Sequence, residues 1–184
     1  MIMTPVGDES GNREASLLGR VWFWNENSQL GFVFSSSTIF KLPNGTQRSP
    51  DVAWISTPRW EALTPEQRKK FPPIAPDFVI ELCPETDDLQ PLQAKMQEYI
   101  DSGVKLGWLI NPQDQQVEIY RLGQLVAAWP LPSELSGEPV MPGFVLKRQF
   151  WLRAFLRFSR RENLRKAHFC VRNAHAKMGT SAYP

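Results

Sequence analysis

The chain predicts a single α+β domain built round a mixed β-sheet, and three observations carry that reading. Its 184 residues suffice for one domain with a full core and fall short of two ordinary ones. Hydrophobic residues make up 42% and seven tryptophans are present, a composition that folds rather than stays solvated. The elements run helix, several strands, helix, further strands, which departs from regular βαβ winding.

The first helix is expected from about Asn12 to Asn25. Leu17, Leu18, Val21 and Trp22 fall on one arc of it, the spacing of a core-facing stripe. Glu14 lies in the same arc, one turn earlier. A carboxylate on the buried side is costly unless paired, whereas in the first turn of a helix it favours the dipole. Gly31–Phe34 and Thr38–Leu42 read as strands, and Pro43-Asn44-Gly45 marks a turn. The segment Ser49–Ile55 reads as the next strand. Thr64-Pro65-Glu66-Gln67 has the form of a helix start, with Thr64 as N-cap, Pro65 at the first helical position and Gln67 completing a capping box. The stiff run Phe71–Pro76 then leads into the strand Pro76–Leu82. A polar turn, Glu85–Asp88, precedes a helix over Leu89–Asp101 that Gly103 stops. Lys105–Ile110 reads as a buried strand, Asn111–Asp114 as a turn, Gln116–Tyr120 as a strand of period two and Gln124–Trp129 as a further short strand.

The net charge of +2 conceals two opposed parts. Residues 1–146 carry 11 Lys and Arg against 18 Asp and Glu, a net −7, whereas residues 147–184 carry ten against Glu162 alone, a net +9. An acidic body with a basic tail points to nucleic-acid or anionic-surface contact. No apolar run is long enough to cross a bilayer, and Met1–Arg20 lacks the apolar stretch of a signal peptide. Cys83 and Cys170 are far apart and lack metal-ligand spacing, which argues against a disulfide framework. These features favour a cytoplasmic protein.

Two strands open with Pro-Asp, Pro50-Asp51 and Pro76-Asp77, and Glu81 lies within the second. Asp77 and Glu81 share a face but lie ~13 Å apart along an extended strand, too far to meet on one Mg²⁺ with ligands at ~2.1 Å. Asp51 and Glu81 come from different strands, ~4.8 Å apart if adjacent, and make the better pair. Two residues past Glu81 the same face holds Cys83, which cannot supply a cation. Lys95 is the alternative: it lies within the arc of the Leu92, Met96 and Tyr99 stripe, with a stem long enough to place an amine over the strand ends. The competing structural readings are a turn residue after proline for Asp51, an exposed strand position for Glu81, and a surface pair with Glu98 for Lys95. Two carboxylates and an amine are the raw materials of metal-dependent phosphodiester cleavage.

Pro50-Asp51, Glu81 and a lysine on the following helix resemble the PD-(D/E)xK restriction-endonuclease-like superfamily, in the variant whose lysine has moved from strand to helix. From Gly31 to about Leu146 the chain resembles, more narrowly, the Uma-type endonucleases. The matching segments are Arg48–Trp54, Pro76–Leu82, Lys95–Tyr99, Gly107–Pro112 and Leu135–Phe144. The resemblance implies a restriction-endonuclease-like central mixed sheet flanked by helices. It further implies Asp51 and Glu81 as ligands of Mg²⁺ or Mn²⁺, Lys95 as the catalytic lysine, and Glu14 as the acidic residue of the first helix.

The expected function is therefore divalent-metal-dependent cleavage of DNA by a domain spanning residues 1–146. The alternative is a catalytically inactive nucleic-acid-binding or regulatory module that keeps the fold. An acidic body is awkward for DNA, since affinity rests on phosphate neutralisation. A second subunit in a homodimer, or the basic extension 147–184, would supply the missing positive charge. That extension departs from the family pattern and has two readings: a basic amphipathic helix through about Lys166, or a non-native extension. His168, Cys170 and His175 are three scattered candidates without a fourth, weak grounds for zinc.

Overall fold

The structure, a computed structural model, describes residues 8–84, 89–130 and 132–148. The expected turn at Glu85–Asp88, the expected tail helix beyond Arg148, and His168, Cys170 and His175 lie outside the described residues. Helix α1 (Asp8–Ser28) starts four residues earlier than its periodicity suggested and ends at Gln29. Gln29 adopts φ 56° and donates its N–H to the Asn25 carbonyl at 2.7 Å, a left-handed cap. Leu17 and Val21 are buried as expected, but Trp22 is 53% exposed. Trp22 sits about 140° round the helix from Leu17, whereas Trp24 returns to within about 20° of it. Trp24 is accordingly the ring that meets the core, against Trp54 and Phe144 at centroid distances of 5.6 and 5.5 Å.

After α1 come β1 (Gly31–Ser35), β2 (Phe40–Lys41), β3 (Gln47–Arg48), β4 (Val52–Ser56), α2 (Thr57–Glu61), α3 (Pro65–Arg68), β5 (Phe78–Leu82), α4 (Leu89–Asp101), β6 (Leu106–Asn111), β7 (Gln116–Arg121), β8 (Ala127–Pro130), β9 (Glu134–Ser136) and β10 (Val145–Lys147). The Thr64 capping box forms as expected, with Gln67 N–H and the Gln67 side chain both engaged. The strand expected over Thr38–Leu42 contracts to β2, because its partner β3 is only two residues long. Periodicity missed α2, β3, β9 and β10, all of five residues or fewer, too short to express a period.

Six strands form one sheet in the order β1-β4-β5-β6-β7-β8. Among the described residues β5 and β6 run parallel and the other neighbouring pairs of this sheet antiparallel, so the sheet is mixed. The parallel pair obliges a crossover, which α4 provides. One face packs Val52, Trp54, Phe78, Ile80 and Trp108 against Leu17 and Val21 of α1 and against the β9–β10 hairpin. The other packs Ala53, Ile55, Val79 and Leu109 under Met96, Tyr99 and Ile100 of α4 and beside Phe40 and Leu42. Gly31 is required where β1 leaves α1, since a Cβ there would lie 2.3 Å from the Ile55 carbonyl oxygen. Among the described residues no helix is long and apolar enough to cross a membrane.

Asp77 pins this sheet together. It is only 1% exposed, and its Oδ2 accepts from Ser56 N–H and Ser56 Oγ at 2.9 and 3.0 Å. Its Oδ1 pairs with Lys105 Nζ at 2.7 Å and Arg59 Nη1 at 3.0 Å. Its main chain adds bonds to Trp54 on one side and to Lys105 and Leu106 on the other. Burial alone would raise the Asp77 pKa, but the Lys105 and Ser56 hydrogen bonds and the Arg59 charge outweigh it and hold the carboxyl below its ordinary value. A carboxylate with a lowered pKa stabilises the fold above the unfolded pKa near 4 and loses that contribution as the pH falls through the folded value. Asp77→Ala is expected to cost about 2–4 kcal/mol at pH 7, measured by urea denaturation, with the difference from wild type shrinking below about pH 4.

Candidate active site

The site forms at the opposite end of β5 from Asp77. Strands β4 and β5 pair with Val52 opposite Ile80, Ala53 opposite Val79 and Trp54 opposite Phe78. One residue beyond, the register sets Asp51 against Glu81, and the Leu82 N–H donates to Asp51 Oδ2 at 2.7 Å. Side chains alternate along a strand, so both carboxyls share the face under α4 with Ala53 and Val79. Proline at position 50 supplies the extended approach, and being buried it fixes where β4 begins.

Glu81 is 2% exposed. Lys95 reaches it from α4, its Nζ 2.7 Å from Glu81 Oε1, and also donates to the Ser49 carbonyl at 3.4 Å. Tyr99, one turn further along α4, donates its hydroxyl to the same Oε1 at 3.0 Å. The lysine amine lies 5.9 Å from the Tyr99 ring centroid, so ring and amine flank the carboxylate together. Burial raises the tyrosine's pKa and the Glu81 charge raises it further, which keeps the hydroxyl a donor. Lys95 does not pair with Glu98; that glutamate turns to Arg48 and Asn44 instead.

Glu14 approaches from α1. Its Oε1 accepts from Ser36 Oγ, and Ser49 Oγ donates in turn to the Ser36 carbonyl, so the turn after β1 ties α1 to the approach of Asp51. The Glu14 charge is close enough to raise the Asp51 pKa. All four residues singled out from the sequence, Asp51, Glu81, Lys95 and Glu14, thus meet in one region. Cys83 is buried, with its thiol directed to the Pro84 carbonyl. Tyr99, Ser36 and Ser49 belong to the constellation and were missed. Tyr99 fitted the core stripe and does contribute to the core, while isolated serines in a Ser-Ser-Ser-Thr loop carry no periodic signal.

Both carboxyls are held above their ordinary pKa values. Burial pushes Glu81 up to about 7, the Lys95 charge opposes the rise, and the Asp51 charge adds to it. Burial also raises Asp51, against the Leu82 hydrogen bond and the Lys95 charge. Among the described residues, the partners of Glu81 use Oε1 and that of Asp51 uses Oδ2. Glu81 Oε2 and Asp51 Oδ1 are left for a cation. The donor set is hard oxygen, which suits Mg²⁺ or Mn²⁺. Among the described residues no three His, Cys, Asp or Glu side chains are grouped to hold a metal ion. Two carboxylates still fit Mg²⁺, which usually binds through one or two carboxylates and keeps several waters.

A carboxyl whose folded pKa is raised prefers its proton in the folded state. Its ionisation therefore costs stability as the pH rises from the unfolded value near 4.5 to about 7, and the cost is complete above that. In metal-free protein, Glu81→Gln is expected to be more stable than wild type at pH 8 by on the order of 2–3 kcal/mol, with the advantage gone near pH 4.5. Urea denaturation in the presence of a chelator at the two pH values measures this.

Comparison with known proteins agrees with the fold. A solved structure described as "a putative nuclease belonging to DUF820 from Anabaena variabilis" superposes with a TM-score of 0.68 at 17% identity, covering 82% of this chain and 83% of that one. No match is found among curated proteins. The Uma2 family, described as "Putative restriction endonuclease", matches residues 1–149, a span that includes Glu14, Asp51, Glu81 and Lys95. The chain belongs to the Uma2 family.

Proposed function

We propose that the protein is a Mg²⁺- or Mn²⁺-dependent endonuclease that hydrolyses phosphodiester bonds in DNA. The observation that carries this reading is the convergence of Asp51 and Glu81 from adjacent strands with the Lys95 amine 2.7 Å from Glu81. Asp51 and Glu81 would hold the ion, and Glu14 would add negative charge beside Asp51. When bound, the ion supplies charge neutralisation at the phosphoryl group and acidifies a water.

The chain's own residues do the rest. The Tyr99 hydroxyl fixes Glu81 Oε1 and leaves Oε2 for the ion. The Leu82 N–H does the same for Asp51, holding Oδ2 and presenting Oδ1. Lys95 is held between Glu81 and the Ser49 carbonyl, where its amine can meet a phosphate oxygen or orient the attacking water. Because Asp51, Glu81 and Lys95 belong to two paired strands and the helix over them, little reorganisation is needed as charge develops. The acidic body, net −7 over residues 1–146, leaves DNA affinity to the ion, to a second subunit or to the basic extension.

Purified protein incubated with supercoiled plasmid is expected to nick it with Mg²⁺ or Mn²⁺ and not with chelator. Asp51→Asn, Glu81→Gln and Lys95→Ala should each lower the rate about 10²–10³-fold. Equal nicking by wild type and all three variants would assign the cleavage to a contaminant. Metal binding without cleavage by wild type would support the inactive binding module instead. Mg²⁺ should also raise the melting temperature of wild type and leave that of Glu81→Gln nearly unchanged, since a ligand stabilises only the state that binds it.

A further inference from the structure

Lys95 lies on α4 and Asp51 on the link between β3 and β4, and one contact outside the cluster ties α4 to β3 at the start of that link. Glu98 lies three residues after Lys95 on α4, and its Oε2 meets Arg48 Nε at 2.5 Å. Its Oε1 accepts from Asn44 Nδ2 at 3.0 Å. Both oxygens of this glutamate thus leave their own helix to grip the β2–β3 hairpin. The hairpin is a firm anchor: Asn44 Oδ1 accepts from Thr46 N–H and Thr46 Oγ1 at 3.0 and 2.8 Å, and Leu42 and Thr46 close the turn through the main chain. Phe40 and Leu42 seat it in the core below α4.

Arg48 ends β3, and only Ser49 and the buried Pro50 separate it from Asp51. Ser49 is also the residue whose carbonyl receives the Lys95 amine. The path from Glu98 through Arg48 to Ser49 and Asp51 therefore closes a ring with the path from Glu98 back along α4 to Lys95. Breaking the ring at Arg48–Glu98 leaves the core of α4 in place, because Met96, Tyr99 and Ile100 are buried independently of it. What it frees is the Arg48–Asp51 segment relative to the lysine.

We propose that Arg48 and Glu98 form a positioning clasp that sets where the Lys95 amine stands relative to Asp51 and Glu81. Neither residue touches the candidate ion site, and both are partly exposed, 40% for the Arg48 side chain and 19% for that of Glu98. An exposed pair contributes little to global stability, so positioning is what its loss should disturb. The proposal rests on the endonuclease reading for its kinetic consequence and on geometry alone for its structural one.

The test uses Arg48→Ala, Glu98→Ala, the double variant and Arg48→Lys. In wild type the ¹⁵N signal of the Lys95 amine should be visible as a hydrogen-bonded, slowly exchanging group. Both alanine variants should shift or broaden it while the melting temperature stays near that of wild type. In plasmid cleavage with Mn²⁺ they should lower kcat about 10–100-fold with KM within about twofold, the size expected of a small misplacement. The double variant should be no worse than either single one, and Arg48→Lys should restore part of the rate. An unchanged Lys95 signal in both alanine variants overturns the clasp, whatever the rates do. If wild type cleaves nothing, the endonuclease reading fails by itself, and the Lys95 signal alone decides the clasp.

Discussion

Burial of the Glu81 carboxylate beneath α4 is the constraint on which the rest of the site depends. A charged group this deep needs compensation, and among the described residues it comes through Lys95 and Tyr99 on a single oxygen. The parallel pairing of β5 with β6 brings this about, since it forces a helix to cross over the sheet and carry both residues above the strand. Antiparallel pairing with β4 then adds Asp51 alongside, increasing the negative charge rather than relieving it.

The two ends of β5 show opposite solutions to the same problem. Asp77 is met by two cations and the Ser56 main-chain and hydroxyl donors, so its charge is more than balanced and its pKa falls. Among the described residues Glu81 has one cation and a second carboxyl for a neighbour, and its pKa rises. Four residues apart along the chain, one carboxylate is a fastener and the other is left under-compensated. The imbalance of partners, more than the presence of acid, is what distinguishes the two carboxylates.

Much of this was legible in the sequence because its signals are long or stereochemically sharp. The helix Leu89–Asp101 and the Thr64 capping box correspond to the expected residues, and the strand spacing correctly separated Asp77 from Glu81. Trp22 and Trp24 were harder to tell apart, since both are large and apolar and only the exact rotation about α1 distinguishes them. The fate of Glu98 was illegible for a different reason. Its spacing from Lys95 suits a helix pair equally well, and nothing in the local sequence announces that Arg48, fifty residues earlier, has the better geometry. Tyr99 was visible as a core residue but not as a hydrogen-bond donor to the site, because periodicity reports which way a side chain faces and not what its tip meets.

The helix that carries Lys95 is the sheet's own crossover connection. It cannot swing away without leaving Met96, Tyr99 and Ile100 uncovered and the β5–β6 join unsupported. The helix backbone that bears the amine is therefore held by the same cooperative unit that makes the sheet. Its nearest strand alternative, position 83, is occupied by cysteine, yet the charge still arrives over Glu81. In this fold the crossover helix, not the strand, sets the point in space at which the amine stands.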